Sequence, residues 1–168
     1  LAGKIKILRN HGIEIIDGKM EFVAAGFNYR MTDFQAALVN SQLKRLDKIL
    51  IYKSTLAEIY FDKIKNPKIK MPVVPKGRNH TWQTFHVILN ESLNRDKIID
   101  HLKAKSIGTN YGAQCIPAQK YFREKYKLNF DFLFPNSMKA YNYGLAIPIY
   151  EKLTKDNISY IAEQLNQL

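Results

Sequence analysis

Cysteine is almost missing from this chain: its 168 residues contain one, Cys115. A single thiol forms no internal disulfide, which sets aside the disulfide-stapled secreted scaffolds and points to a reducing compartment. No base neighbours it in sequence, so Cys115 reads as a small, partly buried side chain, not as a nucleophile. No apolar window of about 18 residues occurs, so no segment is expected to span a membrane. The first residues, Leu1-Ala2-Gly3-Lys4, lack both a methionine and an apolar stretch with a small-residue cleavage site. The expectation is a cytoplasmic protein without a secretory leader, and a piece of a longer polypeptide. The chain also lacks an HExxH pair, Cys–His metal spacing and clustered carboxylates, so no metal site is expected. It has no GxxxxGK[ST] phosphate loop, no GxSxG elbow and no glycine triplet after a strand, which removes several common enzyme classes.

Negative charge is scarce as well. Against 26 basic residues stand 15 acidic ones, a net charge of +11. Residues 1–84 hold 15 basic and 7 acidic side chains, and residues 85–168 hold 11 and 8. Such a balance favours anionic partners in general, whether phosphate, nucleotide, nucleic acid or acidic surface. The lysines are interleaved with acidic and apolar positions, and neither a basic arm nor an RNA-stacking motif is present. A small nucleic-acid-binding protein is therefore the lesser reading.

What is present is globular composition, with 46% apolar and 12% aromatic residues. Residues 4–10 read as the end of a helix stopped by Gly12. Residues 11–27, with Gly12, Gly18 and Gly26, read as a loop or extended link. A long helix is expected from Thr32, where Thr32 and Gln35 form a T-x-x-Q capping box. Its apolar face, Leu43, Leu46, Leu50, Ala57 and Ile64, runs on to a stop before Pro67, with a break allowed near Ile51 to Ser54. Trp82 to Leu89 is β-rich. A helix follows from Arg95 to about Ser106, then a short strand from Ile107 to Tyr111. Short helices are expected at Tyr121–Tyr126 and Ser137–Tyr143, a strand at Leu145–Ile149, and a last helix after Thr154. This alternation predicts a small α/β layer: a short sheet with helices mainly on one face.

Three stretches could carry chemistry. In Gly26 to Ala37, "GFNYRMTDFQAA", Asn28 offers an amide, Tyr29 a ring with a hydroxyl, and Arg30 a rigid fork. A helix start, which favours anions, follows directly. The corner suits a phosphate; equally, Arg30 could pair with Asp33 while Asn28 shapes a turn. In Gly108 to Phe122, Tyr111, Gln114 and Gln119 could line a sugar or nucleotide cleft, or form an ordinary loop. His11 with Gly12 sits past a helix end, where a histidine more often meets terminal carbonyls. His80, His86 and His101 are scattered, His86 within a strand and His101 on a helix face.

Four ordered blocks now resemble one family. They are "KIKILRNHG" (Lys4 to Gly12), "GFNYRMTDFQAALVNSQLKRLD" (Gly26 to Asp47), "RDKIIDHLKAKSIGT" (Arg95 to Thr109) and "YGLAIPIYEKLT" (Tyr143 to Thr154). Together they resemble the DegT/StrS-type sugar aminotransferases, fold-type I enzymes dependent on pyridoxal phosphate. The resemblance implies the C-terminal portion of such an enzyme. Residues 1–31 would be the trailing segment of the large cofactor-binding domain and an interface arm. Residues 32–168 would be a long linking helix and a small α/β domain with a short, mainly antiparallel sheet. It implies transfer of an amino group from an amino acid, usually glutamate, to a nucleotide-linked keto-deoxysugar. It implies a homodimer, or a separate large-domain polypeptide if the gene is split. A remnant serving only as a dimerisation module is the non-catalytic alternative. Asn28 and Arg30 match residues facing the partner subunit's cofactor phosphate. Tyr29, Tyr111 and His11 fall on the substrate side. The cofactor-bearing lysine should lie upstream of Leu1, so no catalytic residue is assigned here and the chain alone is expected to be inactive. Many relatives carry a His-Tyr pair where this chain has Thr109-Asn110-Tyr111-Gly112, so the histidine is replaced.

Overall fold

The buried apolar side chains form one cluster running from Leu56 to Leu165. Of the residues before Leu56, only Tyr52 packs against that core, partly buried, and this asymmetry organises the chain. The computed structural model describes residues 1–127 and 129–168. Contacts separate it into two units, Leu1–Leu46 and Asp47–Leu168.

The first unit begins with α1 (Ala2–Leu8) and continues into β1 (Ile13–Ile16) and β2 (Lys19–Phe22). These strands pair antiparallel, Ile13 opposite Phe22 and Ile16 opposite Lys19. The expected link at 11–27 is thus largely a β-hairpin. Its turn is Asp17-Gly18, with φ of 50° and 76°. Asp-Gly supplies the positive φ that a tight hairpin turn requires, a local cue outweighed by the surrounding glycines and the weak periodicity. After the hairpin comes α2 (Asp33–Leu43), opened by the capping box foreseen at Thr32: Gln35 N donates to Thr32 Oγ1 at 3.3 Å, and Thr32 N to Gln35 Oε1 at 2.9 Å.

The single long helix is corrected to two. α3 (Leu46–Lys63) starts after a turn at Lys44 and Arg45, upstream of the break allowed at Ile51–Ser54. Arg45 N donates to Gln42 O, three residues back, which tightens and closes α2. Packing explains the restart. α2 buries no residue, whereas α3 buries Leu56, Ala57 and Tyr60.

The second unit is built on a three-stranded antiparallel sheet in the order β3 (Ile69–Lys70), β4 (Phe85–Leu89), β5 (Gly144–Ile147). Register places Phe85 opposite Ile147 and Val87 opposite Leu145. With period-two alternation, Phe85, Val87, Leu89, Leu145 and Ile147 share one face, and all are buried. They join the core with Leu56, Tyr60 and Ile64 of α3 and its extension. Ile98 and Leu102 of α4 (Arg95–Ala104) and Ile158, Ile161 and Leu165 of α8 (Lys155–Asn166) complete it. The Tyr60 and Phe85 rings lie 4.9 Å apart, and the buried Tyr60 hydroxyl donates to Pro148 O at 2.7 Å. Asn166 ties the end of α8 to the end of α3: its Oδ1 accepts from Lys65 N and Asn66 N, and its Nδ2 donates to Lys63 O.

On the opposite face of the sheet lie His86, Ile88 and Ala146. This side receives the 108–115 loop and touches α7 (Pro135–Tyr143), which follows α5 (Lys120–Tyr126) and α6 (Phe130–Leu133). The strand expected at Ile107–Tyr111 is reduced to one antiparallel bridge, Asn110 with Ala146. Gly108 and Gly112 leave that stretch without a run of pairing residues. Among the described residues no helix is long and apolar enough to cross a membrane, and no group of His, Cys, Asp and Glu is placed to hold a metal ion.

Candidate functional site

Within the first unit, the His11-Gly12 segment and the Gly26–Tyr29 segment run antiparallel. Phe27 N donates to Leu8 O, His11 N to Phe27 O, and Tyr29 N to Arg9 O, at 2.8, 3.0 and 2.8 Å. A bridge joins Asn10 and Asn28. Two glycines make this approach possible. A Cβ on Gly12, whose φ is 74°, would collide with the Ala24 carbonyl, and one on Gly26 would strike Gly12 N and Leu8 O. Two motifs distant in sequence thereby become one structure, with Asn28 held beside the chain that follows α1.

At its exposed edge Arg30 Nε donates to Asn28 Oδ1 at 3.0 Å. The guanidinium therefore bonds Asn28 and not Asp33. That bond leaves the Asn28 amide donor and the outer guanidinium nitrogens for another acceptor. The capping box engages the N–H groups of Thr32 and Gln35, while those of Asp33 and Phe34, in the first turn of α2, have no acceptor within the helix. An amide, a guanidinium and free helix N–H groups make a donor set chemically suited to a phosphate. Tyr29 is 72% exposed, with its ring stacked on Phe27 at 5.3 Å. His11 is exposed and adopts a φ of 59° just beyond α1.

The second cluster belongs to the second unit. Gly112, at φ 75°, rests on the His86 ring and on Ala146, while Gly144 meets His86 from the α7 side. The imidazole is thus held between two glycines, and its Nε2 is buried without a hydrogen-bond partner. Burial pushes His86 below the ordinary histidine range, opposed by the Tyr111 backbone. Tyr111 lies beside it, with its backbone N bonded to Asn110 Oδ1 at 2.7 Å. The Arg95 guanidinium sits 4.0 Å from the centre of the Tyr111 ring, and its NH1 donates to the carbonyls of Tyr141 and Gly144. Gln119 Nε2 donates to Gln114 Oε1 at 3.3 Å and to Cys115 O at 3.2 Å, so the two glutamines engage each other. Cys115 itself is fully buried. The sequence treats His86 as one strand residue among others and Arg95 only as a helix start. The glycines at 112 and 144 were the available sign that something bulky lies against them.

A family model for the DegT/DnrJ/EryC1/StrS aminotransferases matches residues 1–166. The chain belongs to this family. An uncharacterised protein of Methanocaldococcus jannaschii is 28% identical over 181 aligned positions, covering 100% of this chain and 47% of that protein. Among solved structures, DesV of S. venezuelae superimposes with a TM-score of 0.85 at 23% identity, covering 99% of this chain and 43% of its own. Spr1654 of Streptococcus pneumoniae, solved in its PMP form, gives 0.85 at 19% identity, with coverage of 98% and 42%. PseC of Helicobacter pylori, an aminotransferase involved in the biosynthesis of pseudoaminic acid, gives 0.85 at 18%, with coverage of 98% and 45%. At such identities these structures establish the α/β fold that the chain shares with the family. The chain spans less than half the length of each of these relatives.

Proposed function

We propose that the chain is the C-terminal part of an aminotransferase dependent on pyridoxal phosphate. The enzyme moves an amino group from an amino acid, glutamate foremost, to a nucleotide-linked keto-deoxysugar. The observation that carries this reading is the corner at Asn28 and Arg30: a guanidinium donating to an amide oxygen, pinned by a backbone bridge, next to a helix start with free N–H groups. Asn28 and Arg30 would hold the cofactor phosphate. Pyridoxal phosphate, when bound, supplies the electron sink for amino transfer. Arg30 brings fixed positive charge and a planar fork, and Asn28 fixes the orientation of that fork. Tyr29, Tyr111 and His11 are assigned to the substrate side.

The surface of the first unit supports a place inside a larger assembly. Phe22, Phe27, Tyr29, Met31, Phe34, Leu38 and Leu43 are each more than half exposed. An apolar surface of that extent marks an interaction site. In this reading it is covered by the partner subunit of a homodimer and by the cofactor-bearing large domain, whether in the same polypeptide or a separate one. The lysine that takes up the cofactor is assigned to that domain, upstream of Leu1, and the present chain alone turns over nothing.

Two measurements test this. The 168-residue chain mixed with pyridoxal phosphate and borohydride should give no stoichiometric, site-specific adduct and no transamination; either product refutes the assignment of the lysine elsewhere. In the complete enzyme, Asn28→Ala should weaken cofactor retention about 10- to 100-fold, the usual effect of losing a hydrogen bond to a charged group. Unchanged retention removes Asn28 from the site.

A further inference from the structure

We propose that Arg95 is a positioning residue which sets the orientation of the Tyr111 ring and so presents its hydroxyl to the sugar substrate. The inference rests on the assignment of Tyr111 to the substrate side made above. Arg95 is the first residue of α4, and its side chain is only 14% exposed. Its nearest carboxylate oxygen, Asp96 Oδ1, lies 3.7 Å away on a side chain that is 72% exposed, so solvent screens the pair. What holds the charge instead is the end of α7, where the Tyr141 and Gly144 carbonyls accept from NH1, together with the face of Tyr111. A cation suits both a helix C-terminus and an aromatic face. Nε is buried and donates to nothing. A half-satisfied buried guanidinium costs free energy, which is a poor arrangement for stability alone.

Tyr111 depends on this contact. It lies on a stretch without regular structure, anchored on either side by the Asn110–Ala146 bridge and by Gly112 against His86. Those anchors fix the backbone and leave the ring free to turn. Tyr111 is 37% exposed. Arg95 is the contact that orients it. A guanidinium can bond two carbonyls and lie against a ring at the same time; an ammonium meets those demands less well.

The test has a spectroscopic and a kinetic arm. The 168-residue chain is labelled with 3-fluorotyrosine, and the Tyr111 signal is identified as the one lost in Tyr111→Phe. Arg95→Met should shift and narrow that signal while the Tyr60 core signal stays in place, and Arg95→Lys should restore part of the shift. An unmoved Tyr111 signal in a folded Arg95→Met chain overturns the proposal. In the complete enzyme, Arg95→Met should lower kcat/KM for the nucleotide sugar roughly 10-fold without changing the half-reaction with the amino donor, and should add little to Tyr111→Ala. If Tyr111→Ala lowers sugar turnover and Arg95→Met does not, the role of Arg95 falls alone. If Tyr111→Ala changes nothing, the substrate-side assignment of Tyr111 falls, and with it the presentation role, whatever the fluorine spectra show.

Discussion

His86 and the two glycines around it show how much one position can depend on residues distant in sequence. The ring occupies space that side chains at 112 and 144 would fill, and partial burial there favours its neutral form. Since burial lowers the folded-state pKa, the unfolded chain takes up its proton first as pH drops below about 6.5. Stability should be unaffected above that value and decline below it, until the folded state is protonated too. The expected result is a lower urea midpoint at pH 5.5 than at pH 7.5, with a flatter dependence in His86→Gln. An unchanged dependence in that variant would remove His86 as the source. The donor chemistry of Asn28 and Arg30, in contrast, follows from residue type alone: an amide and a guanidinium stand just before a helix start. Whether Arg30 turned to Asp33 or to Asn28 was not legible, since both lie within reach along the chain.

Among the elements, the capped helices were the most legible. Thr32 with Gln35, and Thr154 at the start of α8, carry side-chain oxygens that satisfy orphan N–H groups within the same few residues, so the cue is wholly local. Their consequences differ, because α8 buries Ile158, Ile161, Ala162 and Leu165 while α2 buries nothing. Thr154→Ala removes the acceptor for Asn157 N, bonded at 3.2 Å, and should destabilise the second unit by about 1 kcal/mol, read as a lower urea midpoint. Thr32→Ala should leave that core transition in place. Equal shifts in the two variants would mean that the units unfold as one. The elements missed have a common cause. The Asp17-Gly18 hairpin and the α2–α3 break are short-range events, but the stretches around them lack the apolar periodicity that a sequence reading relies on.

For the whole molecule, the division of the core decides what can stand alone. Every residue of the core cluster lies within Asp47–Leu168, while the apolar side chains of Leu1–Leu46 are largely exposed. A chain comprising residues 47–168 should therefore keep the main cooperative transition of the full chain. It should also bind a hydrophobic dye such as anilinonaphthalene sulfonate less strongly, because the uncovered surface has been removed. Loss of the transition on truncation would show that the first unit contributes to the core fold. The net charge of +11 favours anionic partners in general.

From residue order alone came the family resemblance, the helix caps, the β4 strand and the donor chemistry of the 26–37 block, all set by side chains close together along the chain. Only the tertiary structure placed Gly12 against Gly26, split the long helix at Lys44, and set Arg95 beneath Tyr111 and against the last turn of α7. The first and last of these join segments whose separation in sequence carries no local signal. Contact between them follows from packing around a core that no short window contains.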